Sequence, residues 1–230
     1  APLPPGSRPL VEWLAEPNPP QGAVDAATYM LGRGEDLLSR WTYYWSPSET
    51  VDMHRRVIIP FLHDGNIVGW TARMIDRTTD PRKPKYYNGF KPKHFLFNNS
   101  VLTQPHRKFV ILVEGPLDAI AIDGVAVMGK TVTVEQAQWL RQSGKTVIVL
   151  PDGSPDRSGL IDYAARNDWM VSFPWAYRSP ADRLWDKDVK DAAEAVQRYG
   201  RVYTVRSILE RACDDPTKFR MMKERLLRPA

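Results

Sequence analysis

Two short runs of aliphatic and β-branched residues, each ending in carboxylates, constrain this chain more than any other feature. The first is Phe109-Val110-Ile111-Leu112-Val113, followed by Glu114-Gly115-Pro116-Leu117-Asp118. The second is Thr146-Val147-Ile148-Val149-Leu150, followed by Pro151-Asp152 and, across Gly153-Ser154-Pro155, by Asp156-Arg157-Ser158-Gly159. Runs this short, bounded by Gly and Pro with helical patterns between them, read as strands of a parallel sheet buried on both faces. Ligands of open α/β sheets bind beyond the carboxyl ends of such strands, where these carboxylates stand. Two strand ends that deliver carboxylates to one crevice suit a hard divalent cation with oxygen ligands. The expectation is a magnesium-dependent phosphoryl-transfer centre.

The neighbouring segments fill in an α/β pattern. Leu117 to Ile122 reads as a helix and Val125 to Val127 as a short strand. Thr133 to Ser143 reads as a helix whose first turn sets Thr133 ahead of Glu135 and Gln136. Beyond the second acidic cluster come a helix at Ser158 to Asn167, a strand at Met170 to Phe173, a polar loop and a helix at Val189 to Tyr199. The last thirty residues read as helices interrupted at Cys213 to Pro216 and ending in a basic tail. Asp162, one turn into its helix, reads as solvated. Gly124-Val125-Ala126-Val127-Met128-Gly129-Lys130-Thr131 matches the P-loop pattern letter for letter. A P-loop, however, surrounds phosphate with the N–H groups of a flexible loop and opens a helix at its lysine. Here the intervening residues are apolar and strand-like, and Val132-Thr133 delays the next helix, so the match lacks its context.

Upstream the character changes. Residues 1–22 hold seven prolines and no apolar periodicity, which predicts a linker or a segment draped on a surface. Val24, Ala27, Met30 and Leu31 predict a short helix ending near Arg33, and Trp41 to Trp45 a core or edge strand. Two β-rich runs, Arg56 to Leu62 and Ile67 to Arg73, flank Asp64-Gly65, which is a hairpin signal because both residues accept positive φ. From Arg73 to Lys108 there are nine basic residues against two acids, interleaved with Tyr86, Tyr87, Phe90, Phe95 and Phe97. The net charge of +5 is therefore concentrated in one stretch. Clustered cations among aromatic rings suit a polyanion whose bases can stack, against the plainer reading of a solvated basic face.

Length and composition are those of an ordinary globular chain of one or two domains. No apolar run approaches membrane-spanning length and no signal peptide opens the chain, so the expected location is cytoplasmic, with no membrane partner. Cys213 is the single cysteine, which excludes an internal disulfide framework and a zinc ribbon built from these residues alone. The chain opens on Ala1 rather than Met, as a processed chain or an excerpt of a longer polypeptide does.

Taken together these motifs resemble the toprim domain, and within that group the catalytic core of DnaG-type primases of bacteria and their phages. The toprim pattern is similar to Val113-Glu114-Gly115-Pro116-Leu117-Asp118, the Gly step to Met128-Gly129-Lys130-Thr131, and the acidic pair to Asp152 through Gly159. The upstream resemblance is more specific. It lies in Tyr29-Met30-Leu31-Gly32-Arg33-Gly34, Ile58-Ile59-Pro60-Phe61, Gly69-Trp70-Thr71-Ala72-Arg73, Pro84-Lys85-Tyr86-Tyr87-Asn88 and Phe95-Leu96-Phe97, and extends over about residues 24 to 200. Two departures stand out. Gly153, Ser154 and Pro155 widen the usual Asp-x-Asp pair, with Asp152 taken as its first member. Asn98-Asn99 stands where many relatives carry lysine after the Phe-rich strand.

The resemblance implies a fold and an activity. The fold is α/β: a toprim domain, Rossmann-like with a mainly parallel sheet, over 108–200. It is preceded by a smaller basic α+β subdomain over 23–107 and followed by a helical segment over 201–230. The implied activity is synthesis of short RNA primers on single-stranded DNA from ribonucleoside triphosphates. Glu114, Asp152, Asp156 and Asp191 would hold Mg²⁺ or Mn²⁺, with Glu114, Asp118 and Asp156 as the catalytic carboxylates. Arg73, Lys83 and Lys85, with Lys91 and Lys93, would hold template or triphosphate. A helicase and a zinc-ribbon or other template-recognition element would be separate partners. The alternatives are a toprim nuclease, which would cut rather than extend, and a nucleic-acid-binding module that has lost activity.

Overall fold

The computed structural model describes residues 1–50, 52–76, 80, 83–92, 94–152, 158–176 and 182–227. They form two compact units, 1–93 and 94–230. The boundary thus falls at Lys93/His94 rather than at 107/108. The reason is local: Phe97 makes an antiparallel bridge to Ala126, and Phe95, Leu96, Phe97, Val101 and Leu102 are buried. The segment 94–107 is therefore core of the second unit.

The first unit is built on a five-stranded antiparallel sheet in the order β1-β2-β3-β4-β5: Arg8–Pro9, Tyr44–Trp45, Arg56–His63, Asn66–Met74 and Tyr86–Phe90. The expected hairpin joins β3 to β4, and Asp64 and Gly65 take φ of 48° and 76°. That doubly positive turn matches the twist of the flanking strands. Pro60 cannot donate to a ladder; it lies beyond Ile58, where β2 pairs, and its carbonyl accepts the Trp41 indole N–H at 3.1 Å. The proline-rich residues 1–22 dock on this sheet through β1, through α1 (Leu10–Leu14) and through the Pro2 carbonyl, which accepts the Trp70 indole N–H. Helix α2 spans Gln21–Leu31 and presents Ala23, Ala26, Ala27 and Met30 to the interior, and α3 spans Glu35–Ser39. Arg55 reaches both Asp25 of α2 and Asp76 just past β4.

The second unit is a five-stranded sheet in the order β10-β9-β8-β6-β7, covered by helices. Strands β6 (Phe109–Val113), β7 (Val125–Ala126), β8 (Thr146–Val149) and β9 (Met170–Ser172) run parallel. Among the strands of the described residues only β10 (Ala212–Cys213) runs against its neighbour, β9, which ties the C-terminal segment into this unit. Val110, Leu112, Val147, Val149 and Val171 share one core cluster with α5 (Val134–Gln142), α6 (Ser158–Arg166) and α9 (Pro216–Leu227). Helix α4 (Pro116–Ile122) is buried at every position and packs with α7 (Ala192–Tyr199) and α8 (Arg201–Glu210). The expected capping box is present: Thr133 accepts from the Gln136 N–H, and Gln136 accepts from the Thr133 N–H. Asp162 is not simply solvated, because both of its oxygens lie 2.7 Å from Lys223 Nζ on α9. Among the described residues no helix is long and apolar enough to cross a membrane.

Candidate active site

Each strand of a parallel sheet points its carboxyl end the same way, so neighbours in the sheet deliver their following loops to one edge. Strands β6 and β8 are such neighbours, with Leu112 opposite Val149 and the Leu150 N–H donating to the Leu112 carbonyl at 2.9 Å. Glu114 stands two residues past Leu112, and Asp152 three past Val149. The two half-buried carboxylates therefore follow strand tips about 5 Å apart. The β6–β7 ladder continues past its last paired residues: Val127 N–H donates to the Val113 carbonyl and Met128 N–H to that of Glu114, both at 3.1 Å. These bonds fix the Glu114 backbone.

The same bonds dispose of the P-loop reading. The N–H groups of Ala126, Val127 and Met128 are spent on Phe97, Val113 and Glu114, so they cannot ring a phosphate. No helix opens at Lys130, since α5 begins at Val134. The step is instead a packing device. A Cβ on Gly159, in the first turn of α6, would lie 2.9 Å from the Lys130 carbonyl, so the glycine lets the 128–131 loop pass close to the helix that follows the acidic loop.

Asp118 and Asp191 are brought together at the start of α7. Asp191 is its N-cap and accepts the Glu194 N–H at 2.8 Å. Asp118, buried in α4, accepts the Ala193 N–H at 3.0 Å. Two of the donors that a helix start leaves unsatisfied are thus taken by carboxylates, which also sit at the positive end of the helix dipole. The other oxygen of Asp118 lies over the turn after β6, where a Cβ on Gly115 would come within 3.1 Å of it. The Glu-Gly-x-x-Asp spacing therefore links the strand tip bearing Glu114 to the helix headed by Asp191. Asp156 lies outside the described residues. Among the described residues no group of three or more His, Cys, Asp or Glu is close enough to hold a metal ion.

In the first unit, Arg73 is buried, and its Nε donates to the Tyr29 hydroxyl at 2.9 Å. Its guanidinium lies 4.8 Å from the centre of the Tyr86 ring and 5.9 Å from that of Tyr29, on which Arg33 also lies at 5.9 Å. Burial pushes the nearby Tyr43 hydroxyl well above its ordinary pKa, an effect reinforced by Tyr86 and opposed by Arg33. Arg33 and Tyr29 join this cluster although no periodicity marked them; the signal was their place in the Tyr29 to Gly34 motif. Lys83 and Lys85 are exposed. Lys91 is exposed overall, yet its amine has lost enough water to lower its pKa. Lys93 lies outside the described residues. Asn98 takes the left-handed conformation at φ 59° and donates to the Gly124 carbonyl at 2.9 Å, which explains an Asn there in structural terms.

A mainly parallel sheet with carboxylates following adjacent strand tips, together with a separate antiparallel sheet, defines a toprim-type α/β fold. More particularly, the fold is that of the catalytic core of DnaG-type primases. The chain superposes on a DnaG primase catalytic domain bound to single-stranded DNA with a TM-score of 0.63 and 18% identity, covering 92% of this chain and 79% of that one. It superposes on the RNA polymerase domain of Mycobacterium tuberculosis DnaG with a TM-score of 0.66 and 17% identity, covering 90% and 78%. In sequence it is 32% identical to a DNA primase of Enterococcus faecalis over 124 residues, 46% of this chain and 19% of that protein. A DNA primase of Halalkalibacterium halodurans is 34% identical over 112 residues, 43% and 18%. The matched stretch spans under a fifth of either relative. No family model matches the chain.

Proposed function

We propose that this chain is the catalytic core of a DNA primase, a nucleotidyltransferase that joins ribonucleotides into short primers on a single-stranded DNA template. The observation that carries the reading is the direct pairing of β6 with β8, which sets Glu114 and Asp152 at adjacent strand tips within a DnaG-type fold. The donor set, oxygen only and anionic, fits Mg²⁺ or Mn²⁺. Glu114, Asp152 and Asp156 would hold the ion, with Asp191 and Asp118 completing the acidic set. When bound, the ion supplies charge stabilisation for the triphosphate and lowers the pKa of the primer 3′-hydroxyl. Glu114 is held for this task by its backbone bond to Met128, and Asp191 by the α7 cap it shares with Asp118. Arg73, preoriented between Tyr29 and Tyr86, with Lys83, Lys85, Lys91 and Lys93, would bind template or triphosphate through charge and stacking. Positioning and charge stabilisation then carry the rate, with little covalent work for the protein. In this reading unwinding falls to a helicase, trigger-sequence recognition to a zinc-ribbon or other template-recognition element, and the setting is the cytoplasm.

Incubation with labelled ribonucleotides, Mg²⁺ or Mn²⁺ and single-stranded DNA tests the reading. Primers are expected, and Glu114→Gln should abolish them while DNA retention persists. Shortening of the DNA would identify a nuclease, and retention without either would identify an inactive binding module.

A further inference from the structure

Helix α8 is amphipathic in the reverse of the usual sense. Its inward side buries Thr204 and Ser207 beside Ile208, with the Ser207 hydroxyl accepting the Trp185 indole N–H at 2.7 Å. Its outward side carries Val202, Val205 and Leu209, spaced i, i+3 and i+7, with Val202 85% and Leu209 36% exposed. This stripe forms one wall of a groove of about 1100 Å³, whose other apolar lining comes from Phe109, Ile111 and Ile122. The groove involves the first residues of β6 and the last of α4, so it lies at the end of the strand away from Glu114 and is not part of the carboxylate site.

The rim is basic. Arg107 and Arg201 both reach Asp123, the latter at 3.4 Å, so that acid is already answered. Lys108 and Arg206 make no ion pair among the described residues, and Glu210 is the other acid on the lining. Apart from Phe109 the apolar walls are aliphatic and hold no row of stacking rings, which disfavours single-stranded nucleic acid, whose binding depends on aromatic platforms. An apolar stripe over about 10 Å between uncompensated cations matches a helix with i, i+3, i+7 anchors and carboxylates on its flanks.

We propose that this groove docks an amphipathic α-helix of a partner protein, its apolar stripe lying over Val202, Val205 and Leu209 and its acidic flanks facing Lys108 and Arg206. The helix adds its hydrophobic face to the stripe, and its carboxylates take up the rim charge, so complex formation weakens with salt.

The test is selection of binders from a display library of helix-stabilised peptides about four turns long, randomised at both stripe and flank positions. The intact chain serves as bait, and the V202E/L209E double variant as counter-selection; both substitutions fall on exposed positions, and circular dichroism checks the fold. Enriched peptides should carry the i, i+3, i+7 apolar pattern with Asp or Glu beside it and should bind the double variant at least about tenfold more weakly. The K108E/R206E variant should instead enrich peptides with Lys or Arg flanks. Three results would each overturn the proposal: no peptide enriched against the counter-selection, enriched peptides without acidic flanks, or displacement of bound peptide by oligo(dT). Primer synthesis by V202E/L209E should stay at the level of the unsubstituted chain, which separates this groove from the carboxylate site.

Discussion

Substitutions at Asp118 test how the acidic edge is held together. In Asp118→Ala the buried Ala193 N–H, which the Asp118 oxygen accepts at 3.0 Å, has no acceptor in a neighbourhood where Ala193 itself is 3% exposed. Leaving a buried donor unsatisfied costs about 1–3 kcal/mol, and removing a carboxylate from a helix N-terminus adds about 0.3–1 kcal/mol. A sum of about 1.3–4 kcal/mol corresponds to about 10- to 900-fold more frequent opening of the first turn of α7. Asp118→Asn keeps an oxygen acceptor at the same place and gives up only the charge, so its cost should stay under about 1 kcal/mol. Amide hydrogen exchange across 192–196 reads the difference directly: fast in the Ala variant, near native in the Asn variant. Equal exchange in the two variants, or native protection in Asp118→Ala, would refute the capping argument.

Three further outcomes follow from other parts of the molecule. Lys83→Ala with Lys85→Ala should leave the fold intact and lower the salt dependence of single-stranded DNA binding by about 0.7 in log–log slope for each phosphate no longer neutralised; an unchanged slope in filter-binding titrations would remove both lysines from the interface. A Gln21 hydrogen bond, then Arg55, holds Asp25 below the usual carboxylate pKa, and Arg55 does the same for Asp76. Because both folded values are depressed, their contribution to stability is full above about pH 4 and declines as pH falls through those values. Arg55→Met should therefore shrink the drop in urea midpoint between about pH 5 and about pH 3, and an unaltered drop would count against the network. Gly89→Ala should destabilise the first unit by about 1–3 kcal/mol in urea unfolding, because a Cβ there would lie 1.8 Å from the Trp70 ring; a stable variant would mean the indole moves aside freely.

Much of this architecture can be read from residues alone, because it rests on local signals. The apolar runs at 109–113 and 146–150, the Asp64-Gly65 turn and the Thr133 box each encode one element without help from distant sequence. Parallel order follows from the helices between the runs. Other features depend on long-range pairings that sequence spacing does not specify. Nothing in residues 94–107 announces that Phe97 will bridge to Ala126, so the boundary between the units was not legible. Composition left 1–22 as either a linker or a draped segment, and only the pairing of Arg8–Pro9 with Tyr44–Trp45 shows that it is held on the sheet. At the candidate site, spacing placed Glu114 and Asp118 on one turn yet could not show that an Asp118 oxygen is committed to a helix 75 residues away. Similarly, the sequence put Asp191 inside a helix opening at Val189, whereas in the folded chain α7 begins at Ala192 and Asp191 is its N-cap.

The second sheet closes both of its margins with antiparallel stubs, β10 beside β9 and the Phe97 bridge beside β7. Unpaired strand margins recruit foreign strands, and a mainly parallel sheet would otherwise offer one on each side. The pieces that guard against this lie at the extremes of the unit's own sequence. Any shortened version of the domain trimmed to its sheet-and-helix centre would therefore discard its protection from self-association while keeping every carboxylate of the candidate site.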